Sequence, residues 1–265
     1  MFQRLPDDIA GALISTGDRL GAFAGRVSWH DEVGSTNDMA LALAAEGAGE
    51  GRVVVAGAQV SGRGRRGRAW ASPPGAGVYA SALLRPESRV LPLLTLASGI
   101  AVAEGIQAAT GLDAAVKWPN DICVAGVAGR LRKLAGILTE ASSGADGVQF
   151  AVVGIGINLS AAAYPPEIAD RATSIGVELG RAVEAPLILV ECLAAFSERI
   201  TQLASGAADA VLTRWLQLSP SAIGTRVECE GSAGGITAGI SNDGALLVRT
   251  QAGIEAIRSG QVRWL

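Results

Sequence analysis

The chain has 265 residues, 49% of them apolar and 18% charged, so it can bury a sizeable core and is too apolar for a disordered chain. Its 22 basic and 25 acidic residues leave a net charge of −3, which argues against a globally cationic nucleic-acid binder while leaving room for a local basic patch. Three widely spaced cysteines, Cys123, Cys192 and Cys229, and one histidine, His30, offer neither a disulfide framework nor a zinc site, and all four read as structural residues.

The first 26 residues read as an amphipathic helical lead-in, with Ile9, Leu13, Ile14 and Leu20 as buried positions. The start lacks the basic and apolar blocks of a secretory leader. No apolar run of 18 residues escapes charge or dense glycine, so a cytoplasmic protein without membrane contact is expected. VSWHDEV (27–33) is a short strand. Ser35 caps a helix from Thr36 to about Glu46, with Asp38 favourably placed in its first turn. RVVVAGAQV (52–60) is a buried strand, and SGRGRRGRAWASPPGAG (61–77) is a long loop.

A strand (78–85) and a helix from Thr95 to Gly111 follow. AVKWPNDICV (115–124) reads as a strand broken by Pro119, and GVAGR (126–130) as a turn. Residues 133–142 and 148–160 are strands joined by SGADG, and 161–174 is a polar loop. Helices run from Leu187 to about Ala204 and from Ala208 to Leu218. Beyond Pro220 come five short strands split by SAGG, NDG and QAG, the pattern of a small barrel. The expectation is α+β: a mixed sheet with flanking helices in a catalytic domain (1–219), then a small C-terminal β-barrel of Src-homology-3-like type (220–265).

Of the 22 basic residues, 20 are Arg; Lys117 and Lys133 are the only lysines. In an Arg-, Ala- and Gly-rich chain, a retained lysine marks a site that wants a compact ammonium, unless it survives by chance. Five constellations carry candidate chemistry. Arg63, Arg65, Arg66 and Arg68 alternate with Gly62, Gly64 and Gly67 ahead of Trp70, which suits close backbone approach to an anion gripped by guanidinium forks. The same segment also reads as a solvated basic loop or a nucleic-acid contact. Lys117-Trp118-Pro119-Asn120-Asp121 offers a cation and two acceptors at a strand end, or a plain turn.

Lys133 opens an apolar strand, either beside a bound anion or as an edge lysine with its stem on apolar surface. Gly154 and Gly156, ahead of Asn158, leave a slot for a flat ligand, or for close packing of a helix. Gly34-Ser35-Thr36-Asn37 sets two hydroxyls and an amide at a helix start, for a neutral polar head group or as a simple cap. Trp215 and Trp264 read as packing residues.

In this order, STN, Q-x-x-GRGRxGRxW, KWPND, RKLAGIL and G-x-G-x-N resemble the biotin–protein ligases over about residues 27–265. The resemblance implies that biotin and ATP form biotinyl-5′-AMP and pyrophosphate with Mg²⁺. The biotinyl group then passes to a lysine of a biotin carboxyl carrier protein or biotin-dependent carboxylase. It further implies that Ser35, Thr36, Asn37, Gln59, Arg63, Gly64, Arg65, Lys133, Gly136, Gly154 and Gly156 meet biotin. Arg65, Arg66, Arg68, Trp70, Lys117, Asn120 and Asn158 fall to the nucleotide. Lys133, Arg63, Asp121 and Lys117 carry the catalysis, with Asp121 receiving the acceptor amine. The metal ligands stay open, with Mg²⁺ carried mainly by the ATP phosphates.

The family's adenine-covering loop belongs near 161–180, where no sharp motif stands. Fewer than 35 residues precede the STN segment, so a short form without the N-terminal winged helix is expected, with no repressor role and no nucleic-acid partner. The expected state is a monomer or weak homodimer. A lipoate or octanoate ligase, and a nucleic-acid binder using the RGRRGR loop, are the competing readings.

Overall fold

The computed structural model describes residues 3–126, 130–144, 147–230, 234–260 and 262–265. Parts of the expected GVAGR, SGADG and SAGG turns lie outside them.

Helix α1 (Asp7–Thr16) and two 3₁₀ turns form the lead-in, followed by β1 (Val27–Val33), α2 (Thr36–Ala45), β2 (Val53–Gln59) and β3 (Gly77–Leu84). Then come α3 (Leu94–Thr110), β4 (Ala115–Lys117), β5 (Asp121–Ala125), β6 (Leu131–Gly144) and β7 (Gly147–Asn158). A short helix α4 (Ile175–Leu179), α5 (Ala185–Ala204) and α6 (Ala208–Leu218) precede the last five strands. These are β8 (Ile223–Cys229), β9 (Gly235–Ile240), β10 (Leu246–Thr250), β11 (Gly253–Ile257) and β12 (Val262–Trp264).

Seven strands form one mixed sheet in the order β1-β2-β3-β7-β6-β5-β4, parallel between β1 and β2 and antiparallel elsewhere. The last five form an antiparallel sheet, β11-β10-β9-β8-β12, where the small barrel was expected. Its NDG segment turns β9 into β10 with a Gly244 N–H to Ser241 O bond, Gly244 at φ +79°.

Side chains alternate across the large sheet, so each face has its own cover. Val53, Val55, Ala82 and Val153 face the side packed by α3, α5 and α6, where Phe23 and Phe196 stack and Trp215 is buried. Val54, Leu83 and Val152 face α2 through Ala40 and Ala44. The α2 cover is short, and the rest of its face is left for the cleft described below.

Two expectations are corrected. Ile14 is 82% exposed, because five residues after the buried Ile9 it lies about 140° around the helix and points away from the core. Residues 115–124 are two strands of a hairpin, since Pro119 lacks the N–H a ladder needs and the chain reverses there, pairing Lys117 with Asp121. The segment Leu91–Thr110 is long and apolar enough to cross a membrane by length and composition, but two thirds of it is buried as the central core helix.

Helix α3 meets α5 so closely that a Cβ at Gly105 would stand 2.6 Å from the Cys192 backbone. Gly105→Ala is expected to destabilise the fold by about 2–3 kcal/mol through overpacking, measured by urea unfolding with an unchanged slope.

Candidate functional site

Three glycines open a gap in the α2-side face of the sheet. Gly136 on β6 pairs with Gly156 on β7, and Leu138 with Gly154, so backbone stands where side chains would be. Each gap is filled from outside the sheet. A Cβ at Gly154 would lie 2.2 Å from Asn37 Oδ1, and one at Gly156 would lie 2.6 Å from the Trp70 indole. Around this gap lies a cleft of about 330 Å³, within the size range of small-molecule sites.

One end of the cleft is a polar pocket at the start of α2. Ser35 caps the helix by accepting from the Asp38 N–H, which turns Thr36 and Asn37 toward the sheet. The Thr36 N–H donates to Gln59 Oε1 at 2.8 Å, and Gln59 Nε2 donates to Ser72 Oγ at 2.8 Å. Ser81 Oγ lies 2.6 Å from Asn37 Oδ1 and 2.8 Å from Thr36 Oγ1. Ser35, Thr36 and Asn37 are nearly fully buried, which polar groups tolerate only when so bonded.

The glycine-arginine segment folds as a narrow finger over the middle of the cleft. Gly64 N–H to Arg68 O (2.7 Å) and Trp70 N–H to Gly62 O (2.9 Å) hold its two sides together. Arg66 at φ +60° and Gly67 at φ +73° make its tip. The fingertip reaches the second sheet through the Arg66–Glu230 pair at 2.6 Å. Trp70 lies half-buried over the glycine gap with no hydrogen-bond partner for its buried Nε1 among the described residues. The Lys133 ammonium stands 5.3 Å from its ring centre.

The far end is cationic. Lys133 Nζ pairs with Asp121 Oδ1 at 2.5 Å, both half-exposed. Lys117 faces the Trp264 ring at 5.4 Å. Arg65 donates to Asn120 Oδ1 at 3.3 Å, and Asn120 Nδ2 donates to Ile137 O at 2.7 Å. Burial pulls the Arg65 guanidinium below its ordinary pKa, against the pull of Asp121. It stays charged because a guanidinium is effectively always protonated in a protein. Arg68 also lines the cleft and has no acidic partner among the described residues. Cys123, one strand position from this cluster, is buried with its thiol pushed up to about 12, so it stays a neutral core group.

All the expected site residues line the cleft except Asn158. Asn158 is buried and donates to Thr173 O at 2.9 Å, so it holds the following segment and does not face the cleft. That segment runs beside Lys133, with Lys133 N–H to Arg171 O and Thr173 N–H to Lys133 O both at 2.8 Å, and it brings Ile168 to the cleft wall. Trp264 is a correction, since it lines the cleft from the second sheet. Trp118 and Glu140 carried no sequence signal of their own. Trp118 is anchored by its Nε1–H to Gly244 O, and Glu140 receives Asn37 and Arg63.

With this geometry in hand, likeness to known proteins is specific. The biotin/lipoate A/B protein ligase family model matches residues 24–158. The chain is 33% identical over 264 residues to the bifunctional ligase/repressor BirA of Bacillus subtilis (strain 168), covering 97% of this chain and 79% of that protein. It is 36% identical over 238 residues to the biotin--[acetyl-CoA-carboxylase] ligase of Paracoccus denitrificans, covering 86% and 96%. The solved biotin protein ligase from Aquifex aeolicus in complex with biotin and ATP superposes with a TM-score of 0.78 at 30% identity, over 91% of this chain and 99% of that one. The chain belongs to the biotin/lipoate A/B protein ligase family.

If Trp70 is seated by the missing side chain at position 156, Gly156→Ala must displace it. Amide exchange across 62–72 is expected to speed about tenfold, the equivalent of ~1.4 kcal/mol of lost docking, while exchange in α3 stays unchanged.

Proposed function

We propose that this chain is a biotin–protein ligase that makes biotinyl-5′-AMP from biotin and ATP and passes the biotinyl group to a lysine of a biotin carboxyl carrier protein or carboxylase. The observation that carries the reading is one cleft holding a neutral polar pocket at one end and unneutralised cations at the other, bridged by a glycine-floored slot. Biotin has this polarity, with a neutral ureido head, an apolar body and a carboxylate tail. The relatives that name a small substrate name biotin, which favours it over lipoate or octanoate.

In the first step a biotin carboxylate oxygen attacks the α-phosphorus of ATP, and the bond to the pyrophosphate oxygen breaks. Two anions must approach, and Lys133, Arg65, Lys117 and Arg68 supply positive charge where they meet. We assign Lys133 to the carboxylate and α-phosphate. Arg65, Arg66, Arg68, Lys117 and Asn120 are assigned to the nucleotide side, and Ser35, Thr36, Asn37 and Gln59 to the head group. Gly64, Gly136, Gly154 and Gly156 let backbone and Trp70 close on the ligand.

Mg²⁺ is proposed to enter on the ATP phosphates. The oxygen donors in reach, the Asp121 carboxylate and Asn120 amide, suit a hard cation that keeps most of its water. Its charge would be shared with the arginines across the phosphates.

In the second step the acceptor amine attacks the acyl carbon, the bond from acyl carbon to phosphate oxygen breaks, and AMP leaves. An acceptor lysine arrives protonated, since its reference pKa is about 10.4. Asp121 is the carboxylate placed to take that proton. A cytoplasmic setting, where ATP is available and three unpaired thiols stay reduced, fits the reading. We also take 1–219 and 220–265 as two domains. The seven-stranded sheet lies before this boundary and the five-stranded sheet after it.

Lys133→Ala is expected to lower biotin-dependent pyrophosphate release by about a hundredfold or more, and Lys133→Arg to recover little, because a planar fork does not occupy the same point. Near-normal release from the Arg variant would remove Lys133 from that role.

Asp121→Asn separates the half-reactions. Loss of the carboxylate frees the Lys133 ammonium for substrate, so pyrophosphate release should stay within about threefold of the parent while single-turnover transfer from preformed biotinyl-5′-AMP slows by about 10²-fold or more. Equal loss in both steps would instead make Asp121 a holder of Lys133 or of Mg²⁺.

A further inference from the structure

Glu140 lies in no motif and in none of the roles assigned above. It stands on β6 two residues beyond Leu138, at the head-group end of the cleft, paired across the strands with Val152. One of its oxygens, Oε2, receives two donors: Asn37 Nδ2 at 2.8 Å and Arg63 Nη2 at 2.6 Å. The same Arg63 nitrogen reaches Asp38 Oδ1 at 2.6 Å. Arg63 therefore sits between a carboxylate of α2 and a carboxylate of β6. The Glu140 side chain is 30% exposed and that of Asp38 55%, so Glu140 is the better shielded of the two.

We infer that Glu140 is a positioning residue that couples closure of the glycine-arginine finger to the hydrogen-bond polarity of the head-group pocket. The inference rests on the reading that this pocket takes biotin's neutral head group. An ionised carboxylate only accepts. Asn37 must therefore turn its NH₂ to Glu140 and its Oδ1 toward Ser81. The single Ser81 proton goes to that Oδ1, 2.6 Å away, while the Thr36 hydroxyl, 2.8 Å from Ser81 Oγ, donates to Gln59 Oε1 at 3.1 Å. The orientation of Asn37, and through it of the Ser81 hydroxyl, is thus set by Glu140, helped by the longer bond from Asn37 Nδ2 to Leu138 O at 3.3 Å. The same oxygen draws Arg63 down, and Arg63 is the first cation of the finger. Seating the finger and orienting the pocket are one event.

An amide at position 140 keeps the shape and loses both properties. It can offer NH₂ to Asn37 Oδ1 and reverse the chain of hydrogen bonds, and it carries no charge for Arg63. The test is steady-state kinetics of biotin-dependent pyrophosphate release by the full chain, with amide exchange across 62–70. Glu140→Gln should raise KM for biotin about tenfold while kcat and KM for ATP change less than about twofold, the size expected for a charged hydrogen bond partly open to water. Biotin-dependent protection of 62–70 should be lost in the same variant. Asp38→Asn, which removes only the outer carboxylate, should raise KM for biotin less. Glu140→Asp, which keeps the charge at shorter reach, should recover part of the loss.

A biotin KM unchanged in Glu140→Gln, or equal rises in both KM values, overturns the coupling. Should that variant not fold, Glu140→Asp carries the test, and an unchanged biotin KM with full protection of 62–70 overturns it equally. A parent chain that releases no pyrophosphate with biotin refutes the proposed function, and that outcome is read before any variant is made.

Discussion

Everything in the cleft depends on close approach to bare backbone on one face of the sheet. Gly136, Gly154 and Gly156 sit in register on the two neighbouring strands β6 and β7, and the space a methyl group would take at each is already used. At 154 it holds the Asn37 amide. At 156 it holds the Trp70 indole, and at 136 Trp70 and Lys133 share it. Strand glycines weaken a sheet by leaving nothing to pack. Here β6 and β7 are the longest strands and lie in the middle of the sheet order, so their full ladders offset that cost. The opposite face, packed on α3 by Ile137, Val153, Ile155 and Ile157, gives the same strands a dense apolar backing.

Among the described residues, two of the finger's four arginines are held by carboxylates and two are not. Arg63 is held by Asp38 and Glu140, and Arg66 by Glu230. Arg65 and Arg68, like Lys117 across the cleft lining, have no carboxylate partner within ion-pair distance among the described residues. Four guanidiniums within six residues repel one another. Anchoring the first and third in the finger by carboxylates lowers that repulsion and leaves the remaining field directed into the cleft. The Lys133–Asp121 pair at 2.5 Å is the one ion pair among the cleft's described residues that joins two strands of the large sheet, β5 and β6.

Most of the elements were legible because their signals are local. The Ser35 cap, the NDG hairpin, the β-branched run at 53–55 and the glycine-rich finger each need only a few neighbouring residues. The two lysines stood out by composition, and both line one cleft, from strands β4 and β6 of the same sheet. What stayed hidden was long-range. Asn158 follows two cleft glycines and so reads as a cleft residue, yet it sits at the end of β7, where Thr173 O takes its amide. Nothing near Glu140 in sequence announces Asn37 or Arg63, which lie 103 and 77 residues away. Trp264 reads as packing because its strand is short and terminal; only the docking of the second sheet brings it over Lys117.

That docking has a consequence for how the cleft is built. Among the described residues, three contacts of the second sheet reach the cleft lining, two at the KWPND hairpin and one at the fingertip. The Trp118 indole N–H donates to Gly244 O at the turn behind the KWPND hairpin, Trp264 stacks under Lys117, and Glu230 holds the fingertip through Arg66. The first is a buried hydrogen bond from a side chain 4% exposed, which fixes the hairpin firmly. The last joins two exposed side chains and is worth little by itself. The second sheet therefore supports the KWPND hairpin firmly and the finger weakly, so that the wall carrying Lys117 is fixed by a buried indole while the finger's outer contact can be given up at small cost.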